Sequence, residues 1–90
     1  MDIKRTSEGF DAFVDDEKAG HITVEIEDGV ATLPHTVTFP EFGGRGVGSA
    51  LVKAAIDLAE NEGLKVRPVC PFVASWLDKN PDEAARVTLV

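Results

Sequence analysis

Polar and apolar positions change period halfway along this chain. In the first half they alternate. The stretch GFDAFVDDEKAG sets Phe10, Ala12 and Val14 against Asp11, Phe13 and Asp15, then breaks at an acidic turn that closes at Gly20. Such alternation marks a strand with one covered face. The next stretch, HITVEIEDGVATLPHTVTFP, reads as two strands joined by Asp28-Gly29. Both positions of that dipeptide favour positive φ, which makes it a strong hairpin signal. A two-residue turn sets register. Glu27 then faces Val30, Ile26 faces Ala31, Val24 faces Leu33 and Ile22 faces His35. The apolar face is expected to hold Ile22, Val24, Ile26, Ala31, Leu33, His35 and Val37. The wet face is expected to hold Thr23, Glu25, Glu27, Thr32, Thr36 and Thr38. Pro34 falls inside the second strand and removes a ladder donor, so an edge, a bulge or a splayed strand is expected there.

From Val47 the period becomes helical. Apolar residues at 47, 51, 54, 55 and 58 form a stripe, with Ser49, Lys53, Asp57 and Glu60 opposite and Gly63 as the stop. LKVRPV reads as a short strand reached through that helix. The two strands of such a unit run parallel, with a right-handed crossover. Pro71 suits the first position of a second helix, whose apolar side is Phe72, Val73, Trp76 and Leu77 and which ends at Asn80-Pro81. DEAARVTLV reads as a helical turn and then an extended piece. The expected fold is therefore α+β with an α/β-like second half: an antiparallel hairpin sheet joined to a βαβ unit, in one domain over residues 1–90.

Charge narrows the partners. Sixteen acidic and nine basic residues give a net charge of −7, which argues against a nucleic-acid partner and its need for a basic face. The same charge suits a cationic substrate, although solubility alone explains it. No run approaches the ~20 apolar residues of a membrane span, so no membrane partner is expected. MDIKRTSEGF has no apolar stretch of the leader type. A single cysteine, Cys70, has no partner for a disulfide or a Cys-type metal site, so a reducing, cytoplasmic setting is expected. No metal is expected either, because the predicted register sends His21 and His35 to opposite faces.

The loop between the two halves carries the chemistry. Gly43, Gly44, Gly46 and Gly48 crowd into TFPEFGGRGVGSALVKAA, between a strand end and a helix start. Helix starts offer free N–H groups and a partial positive charge. Glycines allow a ligand to come close to the backbone. Strand, glycine turn and helix together make a phosphate cradle, and Arg45 adds a guanidinium fork. A plain tight turn is the simpler alternative. The loop is not a Walker motif, since no Gly-Lys pair exists, and it lacks the setting of a dinucleotide fingerprint.

FPEFGGRGVGSALVKAA resembles the acyl-CoA loop of the GNAT acetyltransferases, R/Q-x-x-G-x-G/A. Gly46 and Gly48 match its two glycines, and Gly43 stands where Arg or Gln is usual. The longer run from HTVTFPEF through GRGVGSALV to PVCPFV resembles the short, stand-alone branch of that superfamily. The resemblance implies an acetyl-CoA binder. Its pyrophosphate would rest on the loop Gly44, Arg45, Gly46, Val47, Gly48 and Ser49. Its pantetheine arm would lie along Val37, Thr38 and Phe39, with Ser75 as a further hydrogen-bonding group. The thioester would reach the gap where the Val30–Phe39 and Leu64–Val69 strands part. The elements that build the acceptor pocket in larger members have no counterpart here, so the amine acceptor, a cationic small molecule or a protein lysine, is left open.

Acetyl transfer needs a neutral amine, an oxyanion donor and a proton for the departing thiolate. Many family members take that proton from a tyrosine on the helix after the second parallel strand. This chain has no tyrosine; Trp76 or Leu77 stands near that place. Cys70 is the first catalytic candidate. It ends a strand and precedes a helix, a position that favours thiolate, yet it also suits a small buried residue. His35 is the second, as a base, or else a hydrogen-bonded core histidine. The leading expectation is an acetyl-CoA-dependent N-acetyltransferase; the alternative is a non-catalytic CoA-binding or protein-interaction module on the same fold.

Overall fold

The computed structural model describes residues 1–90. Strands β1 (Asp2–Arg5), β2 (Gly9–Val14), β3 (Glu17–Thr23), β4 (Glu25–Glu27), β5 (Val30–Thr32) and β6 (Thr36–Thr38) precede helix α1 (Val47–Glu62). Strand β7 (Lys65–Arg67) and helices α2 (Pro71–Lys79) and α3 (Pro81–Ala84) follow it. Two sheets result: an antiparallel one in the order β1-β2-β3-β6, and a second in the order β4-β5-β7. β5 and β7 are parallel and joined through α1, which is the expected βαβ unit. The fold is mixed α+β, with α1 packed across β2, β3 and β6.

The first hairpin turns earlier than its composition suggests. Asp15 and Asp16 adopt φ of 50° and 67°, and β3 already begins at Glu17. The acidic run is thus half turn and half strand. β1 carries no alternation signal, because Ile3 alone of its residues packs against the core. Pairing with β2, from Asp2 opposite Phe13 to Arg5 opposite Phe10, holds it in place.

The second hairpin follows the predicted register only near its turn. Glu27 faces Val30 and Ile26 faces Ala31, as Asp28-Gly29 requires. Farther out, Ile22 faces Thr36 rather than His35, and His21 faces Val37. One extra residue has entered the second strand. Leu33 and Pro34 together oppose Val24, and two residues against one is a β-bulge. A shift of one residue exchanges the faces of everything beyond it. His35 and Val37 therefore leave the apolar face, with His35 exposed and Val37 46% exposed, and Thr36 turns inward. His21 and His35 come to the same face, not opposite ones. Ile26 is also outside the core, 44% exposed at the short tip of the hairpin.

Helix α1 buries Val47, Leu51, Val52, Ala55, Ile56 and Ala59. The buried stripe is wider than the predicted one and rotated by about a residue, so Ala54 and Leu58 are only partly covered. Ser49, Lys53, Asp57 and Glu60 face outward as expected. In α2, Val73 and Leu77 are buried, Trp76 is half-buried and Phe72 is 44% exposed. The tail is a short helix and then an extended piece. Val66 N–H donates to Thr88 O and Val90 N–H to Val66 O, both at 2.9 Å. Arg86 fastens it to α1, reaching Asp57 at 2.6 Å and Glu60 at 2.8 Å, and also Glu83 at 2.7 Å. No helix is long and apolar enough to cross a membrane.

Candidate functional site

The bulge at Leu33-Pro34 is also where the two sheets separate. Cys70 N–H donates to Leu33 O at 2.9 Å, the outermost bond joining these two runs of chain. Beyond it β6 follows β3, while the chain from β7 turns into α2. β6 is then paired on one side only. Thr23 N–H donates to His35 O and Phe39 N–H to Ala19 O, both at 2.9 Å. Alternation along an antiparallel pair assigns residues 35, 37 and 39 to β3 and turns the N–H and C=O groups of Thr36 and Thr38 into the gap. Of the predicted backbone contacts Val37, Thr38 and Phe39, Thr38 thus presents its N–H to the gap. Thr36 joins it, a residue the hairpin register had assigned to the wrong face.

The glycine loop closes one end of that gap. The N–H groups from Gly44 to Ser49 have no carbonyl partner, and the first helical bond runs from Ala50 to Gly46 O at 3.0 Å. Gly46 caps α1 in the left-handed region at φ 77°, which costs a side-chain-bearing residue roughly 1–2 kcal/mol. Gly48 is needed for space: a Cβ there would lie 2.6 Å from Phe72 Cζ. Gly43 has an ordinary φ of −59°. Thr38, Phe42, Val47, Ser49 and Phe72 line, with the glycines, a depression of about 250 Å³. Arg45 is held at its rim, its guanidinium 5.8 Å from the centre of the Phe42 ring. Ser49 Oγ accepts the Trp76 indole N–H at 2.9 Å, which ties α1 to α2. Ser75 is exposed and does not line the depression.

Cys70 lies at the other end, buried at the N-cap of α2. Burial pushes its thiol up. The Val73 N–H, the Thr36 hydroxyl, the Phe72 N–H and the Thr36 N–H outweigh that, and the net pKa falls below the ordinary thiol value. Thr36 Oγ1 is itself enclosed, with no nitrogen or oxygen partner. The Cys70 thiol, the unpaired edge of β6 and the free N–H groups of the glycine loop therefore follow one another along β6, through Thr36 and Thr38. His35 stands on the opposite, outer side of β6. His21 is bonded to Asp11 at 2.6 Å. No period-based signal would have found Thr36, because its position depends on the bulge.

An antiparallel sheet splayed against a βαβ unit, with a glycine loop opening the crossover helix, is the α+β arrangement this chain builds. The model of the GCN5-related N-acetyltransferases matches residues 9–87, and the chain belongs to that family. It is 37% identical over 49 residues to Protein NATD1 of Xenopus tropicalis and 33% identical over 52 residues to that of Homo sapiens. Those matches cover 54% and 58% of this chain. The chain spans just under half the length of these curated relatives, 45% and 46%. Among solved structures it resembles a GCN5-like protein of Staphylococcus aureus, with a TM-score of 0.77 and 25% identity, over 99% of this chain and 89% of that one. The ribosomal-protein-S18-alanine N-acetyltransferase of Escherichia coli shares the fold, with a TM-score of 0.67 and 20% identity, over 79% of this chain and 49% of that one.

Proposed function

We propose that this protein is an acetyl-CoA-dependent N-acetyltransferase of small size. The observation that carries the reading is the half-paired strand β6, whose free edge joins the N–H cradle at the start of α1 to the thiol at the start of α2. Pyrophosphate oxygens fit the free N–H groups between Gly44 and Ser49, with Arg45 as countercharge. The pantetheine amides fit the Thr36 and Thr38 edge as an added strand. That edge also offers an N–H for the oxyanion formed at the thioester carbon.

Cys70 replaces the missing tyrosine as the proton source for the departing thiolate. The donors around its sulfur stabilise the charge left after the proton has gone. His35 stands on the outer side of β6, beside the place the amine would take. The acceptor is a primary amine, with a cationic small molecule or a lysine side chain favoured by the net charge of −7. A single buried thiol fits a reducing, cytoplasmic setting.

Thermal unfolding with and without acetyl-CoA tests the binding half of this reading. Ligand at ~100 times Kd adds about 2.7 kcal/mol, an upward shift on the order of 10 °C in a domain of this size. No shift at millimolar acetyl-CoA would remove the reading. Release of free CoA thiol over a panel of amines tests the other half; binding without release would leave a CoA-binding module. Intact mass after incubation with acetyl-CoA separates the two roles of Cys70, since a stable acetyl adduct lost in Cys70→Ala would make it a covalent carrier instead of an acid.

A further inference from the structure

The sheet face away from α1 carries a line of hydrogen-bonded polar side chains behind which no core lies. Asp11 on β2 faces His21 on β3, and Asp11 Oδ1 is 2.6 Å from His21 Nδ1. A carboxylate only accepts, so Nδ1 carries the proton and donates it. In the neutral ring Nε2 is then the acceptor. It lies 3.3 Å from the Thr23 hydroxyl, on the same face of the same strand. Thr23 is the cross-strand partner of His35 through its N–H to the His35 carbonyl. Opposed residues share a face, so the His35 side chain and the Thr23 hydroxyl both stand on the outer side of the gap. Hydrogen bonds along the line all donate away from the gap: Thr23 to His21, and His21 to Asp11. For groups on an open sheet face they are well covered, the side chains of Asp11 and His21 being 16% and 22% exposed.

The geometry points to Thr23 and His21, backed by Asp11, as the path by which the acceptor amine loses its proton. This inference rests on the transferase reading and adds a face to it: the amine comes from the side of the sheet away from α1, opposite the glycine loop and Cys70. An ammonium beside His35 passes a proton to Thr23 Oγ1 while Thr23 passes its own to His21 Nε2. The imidazolium so formed is held by the Asp11 carboxylate and returns its proton to solvent. The freed lone pair forms the new C–N bond as the C–S bond breaks. His35 stands at the gap, His21 is the base that receives the proton, and Asp11 positions its ring. The other charge near the line is Lys18, whose Nζ is 3.4 Å from Asp11 Oδ2; Lys4 is the cross-strand neighbour of Asp11 on β1.

A cross-strand pair that merely steadies the sheet would behave differently. Thr23→Val keeps the β-branched shape and cuts the line. With an alkylamine acceptor, kcat falls at least about 10-fold in Thr23→Val and in His21→Gln, while KM for acetyl-CoA changes by less than about twofold. With an aromatic amine, already neutral at pH 7, both losses disappear. Equal losses with the two acceptors, or wild-type rates in both variants, overturn the inference. Should the wild type acetylate no amine, the transferase reading has failed by itself, and the line is read by NMR without substrate. The His35 ring resonances then move in both variants if the line is connected, and resonances indifferent to both overturn it.

Discussion

One run of chain, from Val30 to Thr38, contains two regions with opposite fates. At its start, Val30–Thr32 is paired on both sides, with β4 and β7. At its end, Thr36–Thr38 is paired with β3 alone. Composition hardly separates them: VAT and TVT are both three residues long and mostly β-branched. What separates them is Pro34 and the extra residue it accompanies. The bulge bends the run away from β7, and the first region becomes core while the second becomes an edge. An open edge in a sheet is ordinarily a liability. Here it lies between the glycine loop and a thiol, where the proposed acetyl-CoA would run along it.

The strongest way to break the comparison is to delete Pro34. Without Pro34 the second strand loses its extra residue while the pairs beyond it stay in register, Ile22 with Thr36 and His21 with Val37, so the faces are kept and the bend that parts the run from β7 is lost. The expected outcome is a marked fall in Tm and no further shift on adding acetyl-CoA, both read in one thermal scan. Pro34→Ala keeps the residue count and is expected to cost less than about 1 kcal/mol. A deletion variant that binds like the wild type would show that the bulge does not make the site.

Removing the thiol tests the far end of the edge. Cys70→Ala is expected to lower turnover at least about 100-fold while retaining the acetyl-CoA thermal shift. The pH dependence has a definite sign. The folded thiol lies below its unfolded value, so its thiolate stabilises the fold above the unfolded pKa, and this contribution is lost as pH falls through the folded pKa. Thr36→Val moves the folded pKa back up and narrows that window from its acid side. The rate of alkylation against pH reads the midpoint, and an unmoved midpoint would mean that Thr36 does not act on the thiol.

The cradle end should respond less. Gly48→Ala pushes against the Phe72 ring and is expected to weaken acetyl-CoA binding about 10-fold by calorimetry, or roughly 1.4 kcal/mol. Gly43→Ala, with its ordinary φ and a nearest contact at 3.4 Å to Pro40 O, should bind as the wild type does. Equal affinity in both variants would argue against a ligand lying over Gly48. The smallest effect belongs to Arg86→Ala, remote from the edge. It frees the tail from Asp57 and Glu60, so Tm drops slightly while the ligand-induced shift is unchanged.

Local chemistry was readable wherever its cause was local. Asp28-Gly29 set the pairs nearest the turn, Gly63 stopped α1, and the glycine loop announced a helix start with free N–H groups. Cys70 before Pro71 marked a thiol at a helix start. What failed was distant from its cause. His35 was assigned inward because period-two counting carries the turn's register indefinitely, and a proline in a strand signals an interruption without saying how many residues it absorbs. β1 was missed because its stability comes from a neighbour. Trp76 was read as part of the apolar side of α2, and its indole instead crosses to Ser49 on α1, a bond between two helices that neither stripe encodes.

By itself the sequence determined the Asp28-Gly29 turn, the parallel βαβ crossover and the glycine loop that opens its helix, because hydrophobic period, turn chemistry and helix ends act over a few residues. Only the tertiary structure decided where the two sheets part, which threonine faces the thiol, and that His21 and His35 share the outer face. Each of these depends on one bulge, and a bulge is settled across the fold, here by the burial of Leu33 in the core and the Cys70 N–H on its carbonyl.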